Sequence, residues 1–225
     1  MLSIDFHTHT YHSFDSMMKP EKILRIAKER GLNGIVISDH DTIKGGLDCF
    51  ALNKDPGFKV VVASEIKTNV GDITALNIKE EIHERNFSDV VAATKKQGGL
   101  ILLVHPYHHH KLDEINFYAI DLIEGFNGRE FPENNNKAIA LAAKHRKPVI
   151  AGSDSHLYGE IGNARTFYND FSDLTKPLRF EGSRNNATDA VFSQLIKAWK
   201  TRSMKRFYQW GKWAPVYLYK RASKK

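Results

Sequence analysis

The apolar positions fall into short runs separated by stretches of helical spacing. Residues 3–9 read as a strand, and residues 20–30 as a helix that opens on Pro20 and stops at Gly31. Residues 34–40 form a continuous apolar run that turns polar at Ser38-Asp39-His40. A buried parallel strand delivering functional groups at its C-terminal end has this pattern. A helix over about 43–53 follows, then a strand at 58–67, with 72–78 pairing to it after the Asn69-Val70-Gly71 turn. Ser88 is placed to cap a helix to Gln97, ended by Gly98-Gly99. The run at 100–105 again ends on a histidine. A strand at 119–126, a helix at 133–145, a strand at 148–152 and a short strand at 167–168 complete the alternation. Four apolar runs thus place ionisable side chains at their ends, as in a parallel barrel whose reactive groups collect on one rim.

From residue 186 the pattern changes. Val191, Phe192, Leu195, Ile196 and Trp199 recur at helical spacing, with Lys197, Lys200 and Arg202 on the other face. This predicts a helix over 187–207 docked through its apolar stripe, then a loop-like segment over 209–225. The expected organisation is a barrel over 1–185 and a C-terminal unit over 186–225.

Length and composition add limits. At 225 residues and 41% hydrophobic content the chain can bury one sizeable core. The single cysteine, Cys49, excludes an internal disulfide framework. With no basic and apolar leader, and no run near the roughly 18 apolar residues of a membrane span, the expected location is cytoplasmic. The net charge of +7 is unevenly spread: ten Lys or Arg and no acid lie from Lys197 onward, so the rest stands at −3.

The chemistry gathers at the strand ends. His7 and His9, two apart on a strand, point the same way and can clamp a metal. With Asp15, His40, Glu65, His105, Asp154 and His156 they make a mixed imidazole and carboxylate set suited to Zn, Mn or Fe. Eight ligands exceed one tetrahedral site and imply two or three divalent ions, with Glu65 suited to bridging. Asp39 is placed either to orient an imidazole or to cap a helix. Arg129 and Arg165 either offer guanidinium groups to a phosphate or are solvated charges. His108-His109-His110 is expected on an exposed rim, with His83 and His145 on helix surfaces.

Asp5-Phe-His-Thr-His9, Ser38-Asp-His-Asp-Thr42, Ser64-Glu65, His105-Pro106 and Ser153-Asp-Ser-His156 resemble the successive motifs of the PHP (polymerase and histidinol phosphatase) family. The resemblance runs in order from residue 3 to about 166, nearly three quarters of the chain. It implies a distorted (β/α)7 barrel of the α/β class, here with a C-terminal helix and basic tail, and phosphoester hydrolysis. It also implies that His7, His9, Glu65 and Asp154 hold one metal, and Asp15, His40 and His156 a second. Glu65 and His105 would hold a third. Many family members carry a further histidine where this chain has Gly71-Asp72-Ile73-Thr74; Asp72 is then either an oxygen ligand or a turn residue.

The expected function is hydrolysis of a phosphomonoester of a small metabolite by hydroxide bridging two ions, with Asp39, His105, Arg129 and Arg165 assisting. A PHP-type nuclease on short nucleic acids and a non-catalytic metal-binding scaffold are the alternatives. The aromatic and basic tail admits packing on the barrel, contact with an anionic membrane surface, or stacking on single-stranded nucleic acid. Substrate identity and oligomeric state are not legible in the sequence.

Overall fold

The computed structural model describes residues 1–223. Among them, nine strands form one sheet: β1 (Leu2–Thr8), β2 (Gly34–His40), β3 (Lys59–Thr68), β4 (Gly71–Leu76), β5 (Leu100–Leu103), β6 (Leu122–Asn127), β7 (Val149–Gly152), β8 (Ala164–Tyr168) and β9 (Arg179–Gly182). Their order is β7-β6-β5-β4-β3-β2-β1-β8-β9. Helices α1 (Pro20–Glu29), α2 (Lys44–Leu52), α3 (Phe87–Lys96) and α4 (Pro132–His145) connect the strands. Beyond the sheet lie α5 (Ala187–Lys200) and α6 (Met204–Ser223).

The sheet curls until the segment after β7 meets β1. Thr8 and Ser155 form a parallel bridge, with His9 N donating to Ser155 O at 2.9 Å and Ser155 N to His7 O at 3.1 Å. The result is a nearly closed α/β barrel. β1, β2 and β3 run parallel, as do β5, β6 and β7. β4 is antiparallel to both neighbours, because a short turn joins it to β3 and a parallel crossover needs a dozen residues. Asp5 tightens the seam: its carboxylate accepts from Ser153 N (2.9 Å), Ser153 Oγ (2.5 Å) and Gly162 N (2.8 Å).

Strand alternation sorts each strand into an inner row whose lower end is apolar and whose upper end is polar. Val36, Val61, Ala63, Leu76, Leu102, Leu122 and Ile150 share one buried cluster with Ile4 and Phe6. Two residues further up the same rows stand Glu65, Glu124, Thr74 and Gly152. In β1 the register slips between Asp5 and Thr8, three steps matching two in β2. This irregularity turns His7 inward although Phe6 also faces the core. Outside the sheet, Ile23, Leu24 and Ala27 of α1 pack with Ile35, Ile37 and Val60.

Several expectations need correction. Asn86, not Ser88, caps α3, its side chain accepting from Ser88 N at 3.1 Å. Strand β9 was not expected from the sequence. The predicted helix over 187–207 ends at Lys200, where Arg202 takes a left-handed φ of 49° and Ser203 N bonds Ala198 O at 2.9 Å. The predicted loop from 209 is helical as far as 223, despite Pro215; residues 224 and 225 lie outside the described residues. The docked face of α5 also departs from the expected stripe, of which Val191, Leu195 and Ile196 are half-buried. Phe192 and Trp199 are exposed, whereas Ala190, Ser193 and Ala198 are buried. Small residues let the helix approach closely, and the long ones point away. No described helix is long and apolar enough to cross a membrane.

Gly152 sits where β7 passes under His7; a Cβ there would strike the Glu124 carboxylate and the His7 Cβ, the latter at 2.5 Å. Gly152→Ala is expected to cost about 1–3 kcal/mol by overpacking. Chemical denaturation would check this, and an unchanged midpoint would contradict the tight seam.

Candidate metal centre

Glu65 ends the inner row of β3 and is 2% exposed. Its Oε1 lies 2.9 Å from His105 Nε2, and its Oε2 lies 3.1 Å from His7 Nε2, 3.4 Å from His9 Nε2 and 3.4 Å from His40 Nδ1. Four imidazoles from three segments, those of β1, β2 and β5, therefore face one carboxylate. Asp154 closes one side, with Oδ1 3.3 Å from His156 Nδ1, 3.5 Å from His9 Nε2 and 3.7 Å from His7 Nε2. Asp15 closes the other: Oδ2 is 3.3 Å from His40 Nε2, and Oδ1 is 3.2 Å from His156 Nε2. His105 and Asp154 hold left-handed backbones, φ 27° and 55°, which turn their side chains back over the barrel mouth.

These atoms form four overlapping groups whose donors lie within 4.8 Å of one another: His9, Asp15, His40 and His156; His7, His9 and Glu65; His7, His105 and Asp154; and Glu65, Asp72 and His105. Asp72 is thus the second residue of β4, with its side chain lining the same cavity, and not a turn residue. Among the described residues, buried His9 Nε2, Asp15 Oδ1 and His105 Nδ1 have no aligned hydrogen-bond partner. Buried lone pairs without donors, on hard and borderline ligand atoms, fit divalent cations.

A further set of groups fixes these ligands. Ser13 Oγ accepts from His40 N (3.0 Å) and donates to Asp39 Oδ1 (2.6 Å). Its remaining lone pair meets His9 Nδ1 at 3.1 Å, so the proton belongs on Nδ1 and the Nε2 lone pair faces the cavity. Asp39 also accepts from Thr10 N at 2.6 Å and Thr10 Oγ1 at 2.7 Å. It therefore acts through the 10–13 segment on His9, not on its neighbour His40. Glu124 plays the matching part for His7: Oε1 lies 3.0 Å from His7 Nδ1, while Oε2 accepts from His105 N and Asn127 Nδ2. Sequence reading missed Glu124, Ser13 and Asn127. A lone carboxylate inside the apolar run Leu122-Ile123-Glu124 was the signal for the first.

The two arginines take other roles. Arg129 lines the cavity, but its guanidinium donates to both oxygens of Glu160 (2.7 and 2.8 Å) and to Ser193 Oγ (2.7 Å). Glu160 in turn accepts from His156 N and Leu157 N, so the arginine braces the loop holding His156. Arg165 bonds the carbonyls of Gly162 and Arg30 on the outside of the barrel, away from the cavity. The tight 160–165 turn takes it there. Of the histidine triplet, His108 and His109 line the rim, with His108 paired to Glu130 at 2.9 Å.

Charge is strongly coupled here. Burial opposes charge on His7, His40 and His105, but the carboxylates outweigh it. Asp154, Glu124 and Glu65 hold His7 well above the ordinary imidazole value. Asp15 and Glu65 raise His40 to about 9, and the bond to Glu65 raises His105 to about 10. Burial, with His156 and His40 nearby, pushes His9 down to about 3, keeping it neutral. Against their own burial, the imidazoles hold Glu65, Asp15 and Asp154 well below the carboxylate range. Asp15, His40, Glu65, Asp72, His105, Asp154 and His156 line a cavity of about 640 Å³, whose outer wall includes Gln194 and Lys197 of α5 and Trp210 and Tyr217 of α6, while His7, His9 and Glu124 are wholly buried.

Comparison with known proteins agrees with this architecture. A family model described as PHP-associated matches residues 132–181. The uncharacterised protein MJ1587 of Methanocaldococcus jannaschii is 36% identical over 117 residues, 47% of this chain and 68% of that protein. A two-domain protein of Bacteroides vulgatus containing a predicted PHP-like metal-dependent phosphoesterase superposes with a TM-score of 0.64 at 19% identity. The match covers 77% of this chain and 60% of that one, so the chain spans less than two thirds of its length. PsfC of Pseudomonas syringae is similar over 90% of this chain and 99% of its own, with a TM-score of 0.59 and 14% identity. A Bifidobacterium adolescentis chain, provisionally named a metal-dependent phosphoesterase, gives 0.53 at 18% identity, covering 69% and 88%. Fold and site together define an α/β barrel with a histidine and carboxylate centre at one rim. Residues 132–181 match the PHP-associated family, the chain is a relative of MJ1587, and its fold is that of PHP-like barrels.

Two outcomes are expected. Glu124→Gln removes the acceptor that fixes His7 and should lower metal affinity about 10- to 100-fold, read by competition with a chelating dye; unchanged affinity would deny Glu124 that role. In protein stripped of metal, the raised pKa values of His40 and His105 stabilise the fold fully below their ordinary 6.5. That contribution is lost as pH rises through about 9 to 10. The stripped protein's melting temperature should therefore fall over that interval, and a flat profile would count against the ion pairs.

Proposed function

We propose that this protein is a metal-dependent hydrolase that cleaves a phosphomonoester of a small molecule. The observation that carries the reading is the convergence of five imidazoles and four carboxylates at one rim, with unpaired buried donor atoms beside a cavity. His7, His9, Glu65 and Asp154 would hold one divalent ion, and Asp15, His40 and His156 a second. Glu65, His105 and Asp72 could hold a third, with Glu65 shared. Zinc, manganese and iron all suit this donor set. Such ions, when bound, lower the pKa of a coordinated water toward neutrality and neutralise phosphoryl oxygens.

The chain's own part is orientation and enclosure. The Asp39–Ser13 pair keeps the His9 proton on Nδ1, and Glu124 does the same for His7, so both Nε2 atoms stay available. Arg129, through Glu160, fixes the loop carrying His156. Tyr107, Phe131 and the C-terminal helices wall a cavity of about 640 Å³, the size of a small-molecule site, which favours this reading over a nuclease. The −3 charge of the body also gives a polynucleotide little to hold outside the C-terminal helices.

Elemental analysis of protein loaded and then desalted is expected to find two or three divalent ions per chain. A phosphate-release panel over sugar, amino-alcohol and nucleotide monophosphates, run beside a labelled oligonucleotide, should show turnover of a monoester and none of the oligonucleotide. His7→Ala should lower kcat at least about 100-fold, on the scale of losing one electrostatic stabiliser. Less than one ion per chain, or equal rates for wild type and His7→Ala on every compound, would sink the proposal.

A further inference from the structure

Helix α5 was expected to turn its lysines to solvent, but it turns Lys197 onto the metal centre and Lys200 onto the segment that carries Asp15. Lys197 Nζ lies 3.5 Å from Asp15 Oδ2 and 4.1 Å above the ring of Phe14. That ring stacks on His40 at 4.4 Å with an interplanar angle of 2°. The same Asp15 oxygen is 3.3 Å from His40 Nε2. The ammonium therefore stands one carboxylate away from the candidate ligands, and its side chain is only 24% exposed.

Its position is held, not sampled. One turn further along, Lys200 Nζ donates to three carbonyls: Tyr11 O (2.6 Å), Ser13 O (2.5 Å) and Ser16 O (3.0 Å). Those residues bracket Asp15. Arg129 donates to Ser193 Oγ on the same helix. Helix α5 is thus fastened to the centre at three levels, with Lys197 between the other two contacts and facing the cavity.

An ammonium beside a cation site is unfavourable by charge alone. Divalent ions bound by Asp15, His40 and His156 would repel it. The placement becomes favourable when an anion lies between the metals and the lysine. The other cavity cation, Arg129, already has its guanidinium engaged by Glu160. We propose that Lys197 is a substrate-positioning residue that binds an outer phosphoryl oxygen, so that the C-terminal helices supply part of the phosphate site. The inference rests on the hydrolytic reading of the same centre. A lysine fits the task as a compact charge with no demand for bidentate geometry.

The test uses the full chain loaded with metal and inorganic phosphate as the probe, by calorimetric titration. Lys197→Met should weaken phosphate binding at least tenfold with the same number of ions per chain. Lys197→Arg should stay within about threefold of wild type, since charge is what acts. With a monoester substrate, Lys197→Met should raise KM more than it lowers kcat. Wild-type phosphate affinity in Lys197→Met would overturn the proposal, as would no phosphate binding by the loaded wild type. Loss of metal in parallel with phosphate would overturn it too, because Lys197 would then only prop Asp15. If loaded wild type binds phosphate through Lys197 but hydrolyses no monoester, the hydrolytic reading fails and the phosphate site stands. If it hydrolyses a monoester and Lys197→Met is unaffected, the reverse holds.

Discussion

A carboxylate sealed from water cannot stay ionised without compensation, and Glu65 sets this condition for the whole barrel mouth. Removing an isolated charge from water costs far more than the net stability of a domain, so such a group must be neutralised or surrounded. Here it is surrounded: His7, His9, His40 and His105 all bring ring nitrogens within 3.4 Å of its oxygens. Each imidazole then needs its own orientation, which Glu124 and the Ser13–Asp39 pair provide. The network is closed, in that breaking one member strands another. That closure explains why so many polar groups tolerate burial together.

The barrel makes this network affordable by separating it from the apolar core along the strand axis, not across it. In β3, β4 and β6 the inner row passes within two residues from apolar Ala63, Leu76 and Leu122 to polar Glu65, Thr74 and Glu124. The departures from regular strand geometry sit at the boundary between these layers. The register slip in β1 brings His7 inward. Gly152 removes the side chain that would otherwise separate His7 from Glu124. The positive φ values at His105 and Asp154 fold the ends of two strand rows back over the centre. Local irregularity is confined to the layer where chemistry is possible.

What the sequence made legible follows from period and sign. Apolar runs ending in His, Asp or Glu revealed β1, β2, β3, β5 and β7 and the ligand set, because a run with a polar terminus has few other uses. Groups acting through a neighbour were not legible, since Ser13 and Asn127 look like any loop or strand-end polar residue. Arg165 misled because chain position at a strand end does not fix which side of the barrel a long side chain takes. The α5 reading failed for a physical reason. Helical spacing shows that two faces differ, not which one docks, and close approach favoured Ala190, Ser193 and Ala198 over Phe192 and Trp199. The segment read as loop-like from 209 is helical, with Trp210 and Tyr217 packed edge to face at the cavity.

The three carbonyls gripped by Lys200 lie in the first tenth of the chain, up to 189 residues before it. Bringing together residues so far apart carries a high loop-closure cost, which has to be met before the grip rewards it. The covering helix is thus tied to the very segment that carries Asp15, and the mouth and its cover are secured together.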